Sequence, residues 1–180
     1  MLASAFASDV ATVTPGVCAA IREAISAESN PAKRDVMRHA LVELSRRVGE
    51  LASLVDHEVR ERFDAKLGPD AGALARVALR LESPSEELAL ESCAARLGER
   101  ARPELSKLSL RMSELLGSEP LDDSRNPVLP RLFANSLMGA IAGLGFAGDA
   151  RLAAFESYGP ALLIVTPGLY LHANTLLGER

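Results

Sequence analysis

The chain has no tryptophan, two tyrosines and five phenylalanines, so aromatics make up only 4% of its 180 residues. With 48% of residues hydrophobic, the core must be aliphatic. Two cysteines, Cys18 and Cys93, stand far apart with no metal-ligating neighbour. They exclude a disulfide framework and a cysteine-based zinc site, and read as free thiols on apolar helix positions. Basic excess is missing too. Twenty Lys and Arg face 24 Asp and Glu, a net charge of −4, which leaves no field to neutralise phosphates and excludes nucleic acid as a partner. Arginine pairs at helical spacing (Arg34 with Arg38, Arg76 with Arg80, Arg96 with Arg100) are interleaved with acids such as Asp35 and Glu99 and read as solvated helix faces. The first residues, Met1–Ala7, have neither a positive n-region nor a long apolar h-region, so no signal peptide is read and a cytoplasmic location is expected.

Alternating runs of Val, Ile, Thr and aromatics, the mark of strands, are nearly absent. Leu, Ala, Arg and Glu dominate, and all four favour helix. The expectation is an all-α fold, a single-domain bundle of about six to seven helices. Residues 1–13 read as a flexible or loosely packed arm ahead of Thr14-Pro15, an N-cap followed by a first helical residue. Asn30-Pro31 repeats that signal. The apolar run Met37, Leu41, Leu44, Val48, Leu51, Val55, Val59, Phe63 then alternates threes and fours as one long helix, or as two broken near Leu54-Val55-Asp56. A short helix over about Asp70–Leu81 follows. Ser83-Pro84-Ser85-Glu86 is a capping box opening a helix to about Leu97, and Pro103 starts the next. Ser118–Arg125 reads as a polar loop. Asn126-Pro127 opens a helix to Leu144 with Gly145 just past its end, and a last helix is expected to kink, or split in two, at Pro160 and Pro167.

Charge is distributed unevenly. Residues 126–178 hold only Arg131, Asp149, Arg151 and Glu156, and both 132–148 and 157–178 are uncharged. Gly139 and Gly143 make a small-xxx-small pattern in the first stretch. A membrane hairpin is the sharp reading of this span. Asn135 and Ser136 in the first stretch, with Pro160, Thr166, Pro167, His172 and Asn174 in the second, argue instead for a buried layer or a partner interface.

No catalytic, cofactor or metal site is read. His39, His57 and His172 are scattered, and no nucleophile elbow, P-loop or strand-borne G-x-G-x-x-G occurs.

Four segments resemble a bacterial family catalogued as domain of unknown function 1631: Leu54-Val55-Asp56-His57-Glu58, the leucine-rich stretch ending Leu115-Leu116-Gly117, Asn126-Pro127-Val128-Leu129-Pro130, and Leu169-Tyr170-Leu171-His172-Ala173-Asn174. The resemblance covers about residues 50–180 and implies a relative of one module of a larger cytoplasmic protein. Members carry a thymidine phosphorylase label, for which these residues offer neither a phosphate loop nor a strand-based site. The resemblance brings no catalytic residues. It marks Asn126, Pro127, Pro130, Tyr170 and Asn174 as positions of interest, and charge depletion adds Leu163 as an expected contact.

The functional expectation is a non-catalytic helical interaction or regulatory domain. It would bind a protein partner or itself through its charge-poor C-terminal segment, where Leu163→Glu should abolish association. The alternatives are a small-ligand or nucleotide sensor with a pocket between helices, and a membrane-associated hairpin.

Overall fold

Six α-helices make up 88% of the structure, a computed structural model that describes residues 1–68, 79–117 and 126–178. They are α1 (Leu2–Ala27), α2 (Pro31–Arg46), α3 (Val48–Leu67), α4 (Pro84–Leu116), α5 (Pro130–Gly143) and α6 (Gly148–Gly178), and no strand occurs among the described residues. The all-α expectation holds. Most of the segment expected to be a helix over 70–81, with Arg76, lies outside the described residues, as does the whole 118–125 loop; Leu79–Leu81 are not helical.

Where start and stop signals are local, they act as read. Asn30 caps α2, its side-chain oxygen accepting from Ala32 N at 2.9 Å. Ser83 caps α4 by accepting from Glu86 N at 3.3 Å. Gly117 (φ 63°) and Gly145 (φ 87°) stand just past the ends of α4 and α5 in the left-handed conformation that glycine adopts without strain.

Two proline start signals point the wrong way, each for a tertiary reason. Thr14-Pro15 does not open a helix, and residues 1–13 are no loose arm. α1 already runs from Leu2, with Ala3, Phe6, Ala7 and Val10 buried. The Thr14 hydroxyl bonds back to the Val10 carbonyl at 2.7 Å and shares a 2.8 Å hydrogen bond with the Tyr158 hydroxyl. Pro103 lies inside α4, because the buried stripe Leu90, Leu97, Ala101, Leu108, Met112 passes through it on one face. The last helix does not split in two: Pro160 and Pro167 sit within one continuous α6, whose inward side chains include Tyr158, Leu162, Thr166, Leu169, Tyr170 and Ala173. Pro15, Pro103 and Pro160 are exposed, so the carbonyls they leave unpaired lie on the side where water can serve them.

Two boundaries also move. The break between α2 and α3 falls at Arg47 (φ −118°, ψ 28°), not near Leu54-Val55-Asp56. There the guanidinium forks onto Glu50 at 2.7 and 2.5 Å and donates to the Leu144 carbonyl at 2.6 Å. Asn126-Pro127 does not begin α5 either. Its N-cap is Leu129 and its first residue Pro130, while the Asn126 side-chain oxygen closes a turn on Val128 N at 3.1 Å.

α6 is the axis of the packing. α4 lies parallel to it, joined at the leading ends by Glu86 with Arg151 and at the trailing ends by Arg111 with Asn174. α1 runs antiparallel on the other flank, Thr14 meeting Tyr158, and α2 packs against α6 as well. α3 packs across α1 and α5. In α5, Leu132, Phe133, Ala134, Leu137, Met138, Ala140 and Ile141 are all buried, so the missing charge of its sequence reflects burial on almost every side. Phe133 bridges Phe6 (ring centroids 4.9 Å) and Tyr170 (5.9 Å, edge-on). The Gly139/Gly143 pair serves the packing of α5 on α3. A Cβ at 139 would sit 2.6 Å from the Glu58 carboxylate, and one at 143 would sit 3.3 Å from Leu54, so the glycines let α3 approach.

Candidate functional site

The fold gathers most of the singled-out residues at the trailing end of α4 and α6. Tyr170, fully buried, donates its hydroxyl to the Val128 carbonyl at 2.8 Å. Burial pushes that phenol well above its ordinary range. One turn on, the Asn174 amide donates to the Glu104 backbone carbonyl at 2.8 Å and to its carboxylate at 2.9 Å. Arg111 reaches back to the Asn174 side-chain oxygen at 3.1 Å and to its backbone carbonyl. Lys107 at 2.7 Å holds the Glu104 carboxyl below the usual range. Asn126 donates to Ser109 Oγ at 3.1 Å, and Pro127 and Pro130 are buried beside it. These groups lock the 126–130 turn and the end of α6 onto α4. Their donors and acceptors serve one another.

Leu163 does not join them. It is half-buried two turns earlier on α6, packed against the core where α6 faces α4. The neighbouring Ile164 is the exposed residue, at 78%.

A second polar centre escaped the sequence reading. Arg151 is buried on α6 and forks onto Glu86 at 2.7 and 2.5 Å, with Glu82 at 3.5 Å. The reciprocal half of the expected capping box is diverted to it: Glu86 accepts from Glu82 N at 2.6 Å rather than from Ser83. The Arg151 guanidinium holds the Glu86 carboxyl below its ordinary range. The one available signal was a lone arginine in a charge-poor segment, since a charge buried there needs a counter-charge. Arg62, paired with Glu58 under Gly139, is a third such centre, its guanidinium lowered to about 10 by burial.

Two grooves flank the leading half of α6. One, about 560 Å³, lies between α4 and α6 and is lined by Leu88, Ser92, Cys93, Arg96, Phe155 and Leu163 among others. Burial pushes the Cys93 thiol up to about 11, the opposite of what a nucleophile needs. The other, about 720 Å³, lies between α2 and α6, with Lys33 facing Asp149 and Glu156. Neither is lined by a tyrosine, and the Tyr158 hydroxyl is spent on Thr14. Among the described residues no three His, Cys, Asp or Glu side chains gather to hold a metal. The histidines stay apart: His39 lies 5.6 Å from the Phe146 ring, His57 3.6 Å from Glu61, and His172 near Asp9.

A family model described as protein of unknown function (DUF1631), N-terminal domain, matches residues 17–180. The chain belongs to this family. The match begins ahead of residue 50, so it takes in the second half of α1 and all of α2 as well as the motif segments. No curated protein and no solved structure matches the chain.

In this DUF1631 domain the outer side of α6 is apolar and free of Asp, Glu, Lys and Arg. Pro160, Ile164, Gly168, Leu171, His172 and Thr175 are exposed in sequence along it, Leu171 at 56%, and no Asp, Glu, Lys or Arg occurs from Ser157 to Gly178. Only 28% of the helix's most apolar 18-residue window is buried. By length and composition α1 and α6 are both apolar enough to cross a membrane, a test that core helices of soluble proteins also pass.

Proposed function

We propose that this DUF1631 domain is a non-catalytic, cytoplasmic helical module for interaction or regulation that binds protein through the outer face of α6. One observation carries the reading. A 22-residue stretch without Asp, Glu, Lys or Arg turns Ile164 and Leu171 to solvent, whereas the exposed faces of α2, α3 and α4 are dense in charge. Apolar patches that a soluble fold leaves uncovered are where partners dock. The buried polar centres support a structural role for the motif residues, because their hydrogen-bonding groups are engaged with one another. Arg151, buried on α6 with its partners Glu86 and Glu82 on the α4 side, favours a helix packed in a bundle over one crossing a bilayer.

A photo-crosslinking side chain placed at 164, and separately at 171, tests this in living cells, with Arg38 and Arg100 as exposed control positions. Covalent adducts to protein from the α6 positions alone are expected. Adducts from the controls at equal yield, or none from α6, would overturn the reading.

A further inference from the structure

Along the stripe that α6 turns outward, the large apolar positions exchange when the helix is reversed, while exposed His172 at its edge falls on half-buried Leu163. Reversing the helix about the Pro167–Gly168 bond places position 160 on 175, 164 on 171 and 168 on 167. The two large exposed side chains, Ile164 and Leu171, therefore exchange places, and they stand about 10.5 Å apart along the axis with the smallest residue between them. A second α6 laid antiparallel across this one seats each Ile164 against Leu171 of the other copy. The backbones approach at Gly168, where a Cβ would meet nothing within 4 Å.

Charge narrows the choice of occupant further. Between Ser157 and Gly178 no Asp, Glu, Lys or Arg faces outward, and His172 lies at the edge near Asp9, so a partner that set a charge against the centre of the stripe would desolvate that charge without compensation. An uncharged face avoids that cost, and the chain's own α6 is such a face. α1, which runs antiparallel to α6, brings Asp9 near His172 at one end and exposes Thr12, Gly16, Ala19 and Ala20 without charge. Two-fold contacts require this kind of self-complementarity, the same patch meeting itself with positions exchanged.

Building on the reading of α6 as the binding face, we infer that its occupant is a second copy of this chain, held in a two-fold antiparallel contact between the two α6 helices and centred on Pro167–Gly168. The register makes the contact testable by charge exchange. Ile164→Glu and Leu171→Lys, each alone, are expected to turn the dimer into a monomer in native mass spectrometry. Mixed in equal amounts, they set the introduced carboxylate against the introduced ammonium and re-form a dimer that holds one copy of each variant. Gly168→Leu adds bulk at the crossing but none against its own fold, so it should weaken association at least tenfold with helicity unchanged.

Loss of the dimer in both variants without recovery on mixing overturns the antiparallel register and leaves the α6 face as the interface. A wild-type protein that stays monomeric while position 164 crosslinks to another polypeptide overturns the dimer and keeps the proposed function. Dimers that survive both substitutions overturn the two together, as does flotation of the wild-type protein with neutral lipid vesicles that is lost in Ile164→Glu.

Discussion

Glu86→Leu strands a guanidinium, and the structure sets the size of the effect. The Glu86 carboxylate takes two hydrogen bonds from Arg151, at 2.7 and 2.5 Å, and one from Glu82 N at 2.6 Å. The Arg151 side chain is 4% exposed and that of Glu86 1%. What remains for Arg151 is Glu82, 3.5 Å away and 47% exposed, and the Arg80 carbonyl at 3.5 Å. Breaking a buried pair by removing one partner costs about 3–5 kcal/mol, a large part of a total stability on the order of 10 kcal/mol. Glu86→Leu combined with Arg151→Met removes both charges and should fall within about 2 kcal/mol of wild type. Urea unfolding followed by circular dichroism reads both values. A single-variant loss under about 1 kcal/mol, or a double variant that loses the sum of the two singles, refutes the reasoning. The pH dependence follows in sign. Glu86's folded pKa is depressed, first by the Arg151 hydrogen bonds, so its contribution is present above the unfolded carboxylate pKa of about 4.3 and is lost as pH falls through the lower folded value. Glu86→Leu should flatten the acid limb of the stability curve.

Tyr170→Phe leaves the buried Val128 carbonyl without its 2.8 Å donor and should cost about 1–3 kcal/mol by urea unfolding; a neutral result would mean the carbonyl is served otherwise. Pro103→Ala should stabilise the protein by about 1–2 kcal/mol, since it restores a donor inside a continuous helix; if Pro103 opened a separate helix, the same change would be neutral or destabilising. The Cys93 thiol should react slowly with a disulfide reagent near neutral pH and faster as pH rises toward 11; rapid labelling of the folded protein at neutral pH would contradict its burial. Leu163→Glu places a carboxylate on a half-buried side chain packed against the core, so it should lower the unfolding midpoint, whereas Ile164→Glu should leave the midpoint near wild type when both are compared as monomers.

Helix class, the starts at Asn30 and Ser83 and the stops at Gly117 and Gly145 were legible because each is decided by a few neighbouring residues. The misreadings share one cause, a partner far away in sequence. Thr14 resembles a cap until Tyr158, 144 residues on, is seen to share its hydroxyl. The α2–α3 break sits at Arg47, which bonds a carbonyl 97 residues away. Pro103 resembles a start until α6 is laid along the stripe that runs through it. The shift from Leu163 to Ile164 has a different origin. α6 is apolar on nearly every side, so its sequence carries no stripe to mark the outward face, and one residue turns a side chain by about 100°. The resemblance marked Asn126, Tyr170 and Asn174 as positions of interest, yet nothing in their order disclosed that Glu104, Ser109 and Arg111 of α4 would complete the lock.

Sedimentation equilibrium of the wild-type protein beside Ile164→Glu tests the central claim, that the outer face of α6 is an interface between copies of this chain. The account predicts a wild-type mass rising with concentration to twice 19.1 kDa, and a variant that stays at 19.1 kDa with an unchanged helical spectrum. A wild-type mass fixed at 19.1 kDa at every concentration, or a variant that associates as the wild type does, would contradict it.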